Sequence, residues 1–99
     1  MAEHPLKIFE KLDPELLNLV ANTRELALAD SALPKRIKLL IAMALDVSHG
    51  AVQRVMALSQ KARQACATKE EITEALRAAH YVSGMGSIYT AATALRELS

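Results

Sequence analysis

Residues 61–76 read KARQACATKEEITEAL, and within them Thr68-Lys69-Glu70-Glu71 has the form of a capping box. In that pattern the threonine hydroxyl accepts a backbone N–H while the glutamate three residues on accepts the threonine's own N–H. The block therefore ends one helix near Ala65 and starts another just after Thr68, on which Ile72, Ala75, Leu76 and Ala79 line one buried face. Upstream, the helix ending near Ala65 has Val52, Val55, Met56 and Ser59 on one face and Ala51, Leu58, Ala62 and Ala65 on a neighbouring one, which predicts burial on two sides. The preceding stretch, 46–50, contains Ser48 as a potential cap and the helix-weakening Gly50, and so reads as a turn. Before it, Pro34 opens a helix whose Ile37, Leu40, Ile41, Ala44 and Leu45 follow helical spacing. Asp13 before Pro14 is an N-cap with proline at the first helical position, and Leu16, Leu17, Val20, Leu26 and Leu28 carry that helix to about Ala29. Downstream, Gly84-Met85-Gly86 interrupts the chain before a last helix bearing Ile88, Ala91, Ala92, Leu95 and Leu98.

Breakers are few and well separated, three Pro and three Gly, and no alternating strand pattern competes with the helical ones. The expected fold is all-α, five or six helices in a single domain over residues 1–99, since 99 residues suffice for one core and no more. Twelve basic against eleven acidic residues leave a net charge of +1, too weak a field for phosphate-backbone binding, so no nucleic-acid partner is expected. A hydrophobic share of 52% argues against disorder and points to apolar surface buried between subunits, hence a homo-oligomer. The single cysteine forms no internal disulfide, and no charged leader with an apolar core opens the sequence, so a cytoplasmic location is the expectation. The longest apolar run, 39–45, is far below the roughly 20 residues that cross a bilayer, so no membrane partner is expected either.

The helix LPKRIKLLIAMAL, the block KARQACATKEEITEAL and the tail YVSGMGSIYTAATAL together resemble the carboxymuconolactone decarboxylase and alkylhydroperoxidase D family over residues 33–95. The resemblance implies a compact helical domain that associates as hexamers or trimers. In the family's redox members a C-x-x-C-x-x-x-H motif, served by an upstream Glu, supplies an attacking thiolate, a resolving thiol and a proton relay. Counting back without gaps from ATKEEI, the two Cys positions fall on Ala51 and Arg54, the His position on Leu58 and the Glu position on Leu39. All four groups are replaced, so the resemblance implies the scaffold without its thiol chemistry. Cys66 stands where the family block has Gly, outside the motif.

Other chemistry-bearing residues are weighed against simpler roles. Asp46 and His49 lie at the junction where the family places its active site, and can form a pair in which Asp46 orients a His49 acid/base; helix capping is the simpler reading. Arg54 can clamp a carboxylate or phosphate, or make a salt bridge. Tyr89, with His80 and Tyr81, borders the Gly84–Gly86 break and is a substrate-binding candidate as well as a packing residue. Cys66 serves a one-cysteine peroxidase reading, but at a helix C-terminus the dipole disfavours thiolate, and a small buried structural cysteine is preferred. His4 is expected to be solvated near the terminus. Three scattered histidines give no metal-ligand cluster, and neither metal nor cofactor is expected. Lys35, Arg36 and Lys38 read as a solvated helix face, and Met43, Met56 and Met85 as core filler.

Three functions follow. The first is a non-redox family member that binds or transforms a small anionic or lactone-like molecule through His49, Asp46 and Arg54. The second is a non-catalytic assembly or interaction protein whose redox pocket is filled by Leu39, Ala51 and Leu58. The third is peroxidase activity through Cys66.

Overall fold

The structure, a computed structural model, describes residues 5–98; His4 lies outside them. A 3₁₀ turn, Pro5–Ile8, leads into α1 (Phe9–Leu12), followed by α2 (Pro14–Leu28), α3 (Lys35–Ser48), α4 (Val52–Gln64), α5 (Lys69–Ser83) and α6 (Met85–Ala94). Among the described residues every regular element is helical, as expected. Two of the helix starts have a side-chain cap. Asp13 Oδ1 accepts the Leu16 N–H at 3.0 Å to start α2. At the start of α5, Thr68 Oγ1 accepts the Glu71 N–H at 3.0 Å and Glu71 Oε1 accepts the Thr68 N–H at 2.9 Å, so the capping box closes from both sides.

Two helices end in the same way. After α3, Gly50 takes φ +73°, and the N–H groups of Gly50 and Ala51 donate back to the carbonyls of Val47 and Asp46. After α4, Cys66 takes φ +74°, and Cys66 and Ala67 donate to Arg63 and Ala62. Both are left-handed C-terminal caps that satisfy otherwise orphaned carbonyls. The reversals bring α4 and α5 back against α3, and α6 closes the bundle.

The core holds Leu39, Leu40, Met43 and Val47 of α3, Val55, Leu58 and Ala62 of α4, Ile72 and Ala79 of α5, and Ala91 and Ala94 of α6. Leu39, Met43 and Ile72 are completely buried, each worth about 1.5–3 kcal/mol of transfer free energy. Alanines at the crossings let the α4, α5 and α6 backbones approach closely.

The inward face of α3 is rotated from the one expected. Leu39, Leu40, Met43 and Val47 point inward, while Ile41 and Leu45 are exposed. Residues 39–45 are apolar throughout, so spacing alone does not set the phase; packing against α4 and α5 does. On α6, Ser87, Ala91 and Ala94 are buried while Ile88 and Ala92 face outward. Ser48 does not cap α4: it lies in the last turn of α3, where its hydroxyl donates to the Leu45 carbonyl at 2.6 Å. Met85, expected in the core, is exposed.

The N-terminal helices stand apart. No residue of α1 or α2 is buried; α2 meets α1 along one flank and reaches the core cluster only through half-buried Leu28. No helix among the described residues is long and apolar enough to cross a membrane.

Candidate functional site

The inherited redox positions fall at the α3–α4 turn and along α4. Leu39 and Leu58, at the relay positions, are part of the continuous hydrophobic core, Leu39 with no exposed surface at all. Ala51 is half-buried at the N-terminus of α4, and Arg54 is exposed one turn along. Core leucines thus stand at the relay positions, with no polar side chain at the old Glu and His positions to move a proton.

Beside this plug lies the polar cluster singled out from the sequence. Asp46, in the last turn of α3, has a side chain only 14% exposed, whereas that of Arg54 is 72% exposed. Arg54 Nε donates to Asp46 Oδ2 at 2.9 Å. The Asp46 carboxylate is therefore engaged by the guanidinium across the α3–α4 turn. His49, the last capping residue of α3, is exposed, and its backbone N–H donates to the Asp46 carbonyl at 3.2 Å. Thr90 of α6, which the sequence reading did not single out, approaches this turn: a Cβ added at Gly50 would lie 3.9 Å from its Oγ1. Only the folded topology brings α6 here, so no local signal marks Thr90. Tyr89, its neighbour, projects outward and is 71% exposed; His80 and Tyr81 are exposed as well.

Cys66 is not the buried cysteine expected. It is exposed, because the left-handed cap at the end of α4 turns its side chain outward. Ala67 takes the inward position, and its carbonyl accepts from Arg63 Nη1 at 3.0 Å. Among the described residues no three of His, Cys, Asp or Glu converge to hold a metal ion.

A second charged contact ties α3 to α5. Arg36 pairs with Glu71, the capping-box carboxylate, whose other oxygen holds the Thr68 N–H. That backbone hydrogen bond, reinforced by the Arg36 guanidinium, keeps the Glu71 carboxyl below the usual glutamate range. The basic face at the start of α3 is thereby partly absorbed into structure: Lys38 Nζ donates to the Ala29 carbonyl at 2.7 Å, pinning the α2–α3 link.

Fold and site together define a small helical domain of the alkylhydroperoxidase D-like class in which core leucines occupy the relay positions. The chain belongs to the carboxymuconolactone decarboxylase family, whose model matches residues 14–97. The match extends upstream of residues 33–95 to take in α2. Among solved structures, the apo form of a carboxymuconolactone decarboxylase family protein from Legionella pneumophila is 38% identical, with a TM-score of 0.86, covering 92% of this chain and 81% of that one. No curated protein matches this chain.

Proposed function

We propose that this protein is a non-catalytic, self-associating family member that acts through its assembled surface rather than through thiol chemistry. The observation that carries the reading is the burial of Leu39 and Leu58 in the core at the positions of the family's Glu and His. Reducing a peroxide requires a thiolate and a route for the proton. Here Ala51 and Arg54 supply neither thiol, and the leucines supply no relay. Cys66 is at the far end of α4 from Ala51, outside the position of either thiol.

The test is hydroperoxide consumption with a thiol reductant, using the intact protein and Cys66→Ser at matched assembly state. The expected result is no turnover above buffer for either. Consumption that disappears with Cys66 would establish a one-cysteine peroxidase and overturn the proposal.

One observation favours a second reading, a site for a small anion at the α3–α4 turn. Arg54 engages Asp46 through Nε, with its side chain 72% exposed, and exposed His49 caps the same α3 end that carries Asp46. A planar guanidinium edge of this kind suits a carboxylate. In this reading Arg54 would hold the anion and His49 would serve as acid/base, while Asp46, engaged by Arg54, would orient the guanidinium rather than the imidazole. Titration with acetate and benzoate, followed by the His49 imidazole resonances, tests it. Saturable shifts lost in Arg54→Ala support an anion site, and no shift up to millimolar ligand removes it.

A further inference from the structure

Two apolar surfaces lack a partner among the described residues of this chain. The first is the outer face of α2. Leu17, Val20, Ala21 and Arg24 turn toward the 3₁₀ turn and α1, while Leu16, Leu19 and Leu26 form a stripe on the opposite side, Leu19 62% and Leu26 82% exposed. The second is a groove of about 410 Å³ between α5 and α6, floored by Leu76, Ile88, Ala92 and Leu95, with Thr73 and Lys69 on its edge. The α2 arm is held away from that groove in its own chain. Its link to α3 is fastened by Lys38 to the Ala29 carbonyl and by Asp30 to the Lys35 N–H.

The surface area gives the size of what covers these faces. A monomeric globular protein of 10.8 kDa is expected to expose about 5,500 Å². This chain exposes 7258 Å². Its radius of gyration, 14.6 Å, also exceeds the about 13 Å typical of a chain this long. The excess surface is about 1,700 Å², roughly twice the about 800 Å² that each partner contributes to a standard interface, as expected if each copy makes two contacts, one with its arm and one with its groove. The stripe and the groove floor match in length, at about two to three helical turns each. They also match in chemistry, aliphatic on both sides, with Lys69 at the groove's edge and Glu15 flanking the stripe.

We propose that the α2 stripe of one copy seats in the α5–α6 groove of a second copy of this chain. The contact is between unlike surfaces, so two copies can exchange arms reciprocally or a ring can close. The assignment rests on the self-associating reading above and specifies its surfaces.

Sedimentation equilibrium at micromolar concentration tests it with three samples: the intact protein, the arm variant Leu19→Glu/Leu26→Glu, and the groove variant Ala92→Glu. All substituted residues are exposed in the single chain, so helicity should be unchanged, which circular dichroism checks. The intact protein is expected to assemble, and each variant to associate on the order of 100-fold more weakly. Mixing the variants restores one intact arm and one intact groove, so a two-chain species should reappear. A monomeric intact protein would overturn both the self-association and the pairing. Assembly that survives in either variant, or no recovery on mixing, would overturn the pairing alone and direct the search to another face or a foreign partner.

Discussion

Cys66 and Gly50 occupy the same left-handed cap, yet one is a side chain that such backbone disfavours and the other has none. Cys66→Gly relieves the strained φ and loses no burial, because the thiol is already exposed; the greater entropy of a glycine in the unfolded chain offsets part of the gain. The expected result is stabilisation by about 0.5–1 kcal/mol, read as a higher urea midpoint. Gly50→Ala should do the reverse by about 1 kcal/mol. The space there is open, with Thr90 Oγ1 at an ordinary contact distance, so the cost is in the backbone alone. Equal midpoints for either pair would show that these caps do not strain the chain. At this scale the sequence was partly legible. Alignment marked 66 as a glycine position, but the outward turn of the thiol follows from a φ that no composition reveals. Asp46 and Arg54 were both singled out, and their partnership is made by the α3–α4 reversal.

Among the elements, α5 was the most legible because its signal is local: a threonine and a glutamate three apart specify a helix start wherever the chain goes. Thr68→Ala should destabilise the fold by about 1 kcal/mol. Glu71 adds a dependence on pH. Its carboxyl titrates lower in the folded chain than in the unfolded one, because the Thr68 N–H and Arg36 favour the charged form. The stabilisation it brings is therefore complete above the unfolded glutamate pKa of about 4.3 and is lost as pH falls through the lower folded value. Glu71→Gln keeps an acceptor for Thr68 but removes the charge facing Arg36. The gap in urea midpoint between wild type and variant should be largest near neutral pH and close below about pH 4; a gap independent of pH would sink the account. α3 was legible as a helix and illegible in phase, since a stretch apolar on every side leaves tertiary packing to choose its inner face. α2 was legible as a helix but not in its faces. Of the residues that carry its spacing, Leu17 and Val20 turn toward α1 while Leu16 and Leu26 join Leu19 on the exposed side. Hydrophobic spacing does not say whether an apolar face is covered by its own chain.

At the scale of the whole molecule, composition had already pointed to an apolar surplus, and the protruding α1–α2 arm together with the α5–α6 groove shows where that surplus is displayed. Family membership was readable from one block and its tail. The burial of the relay positions was not, because it depends on which turns of α3 and α4 face each other in the folded bundle.

That burial divides the four lost positions into two kinds and makes the change work as a ratchet. Ala51 and Arg54 are half-buried and exposed, so Ala51→Cys/Arg54→Cys should fold with a midpoint close to the parent's. Leu58→His and Leu39→Glu would each put a polar group into a packed, dry interior, at several kcal/mol apiece unless neighbouring residues change first. Thermal melts of the double and quadruple variants measure the asymmetry, and a quadruple variant as stable as the double would refute it. The sulfur chemistry stands two tolerated substitutions away, while the route for its proton has been sealed by the residues that now keep the bundle folded.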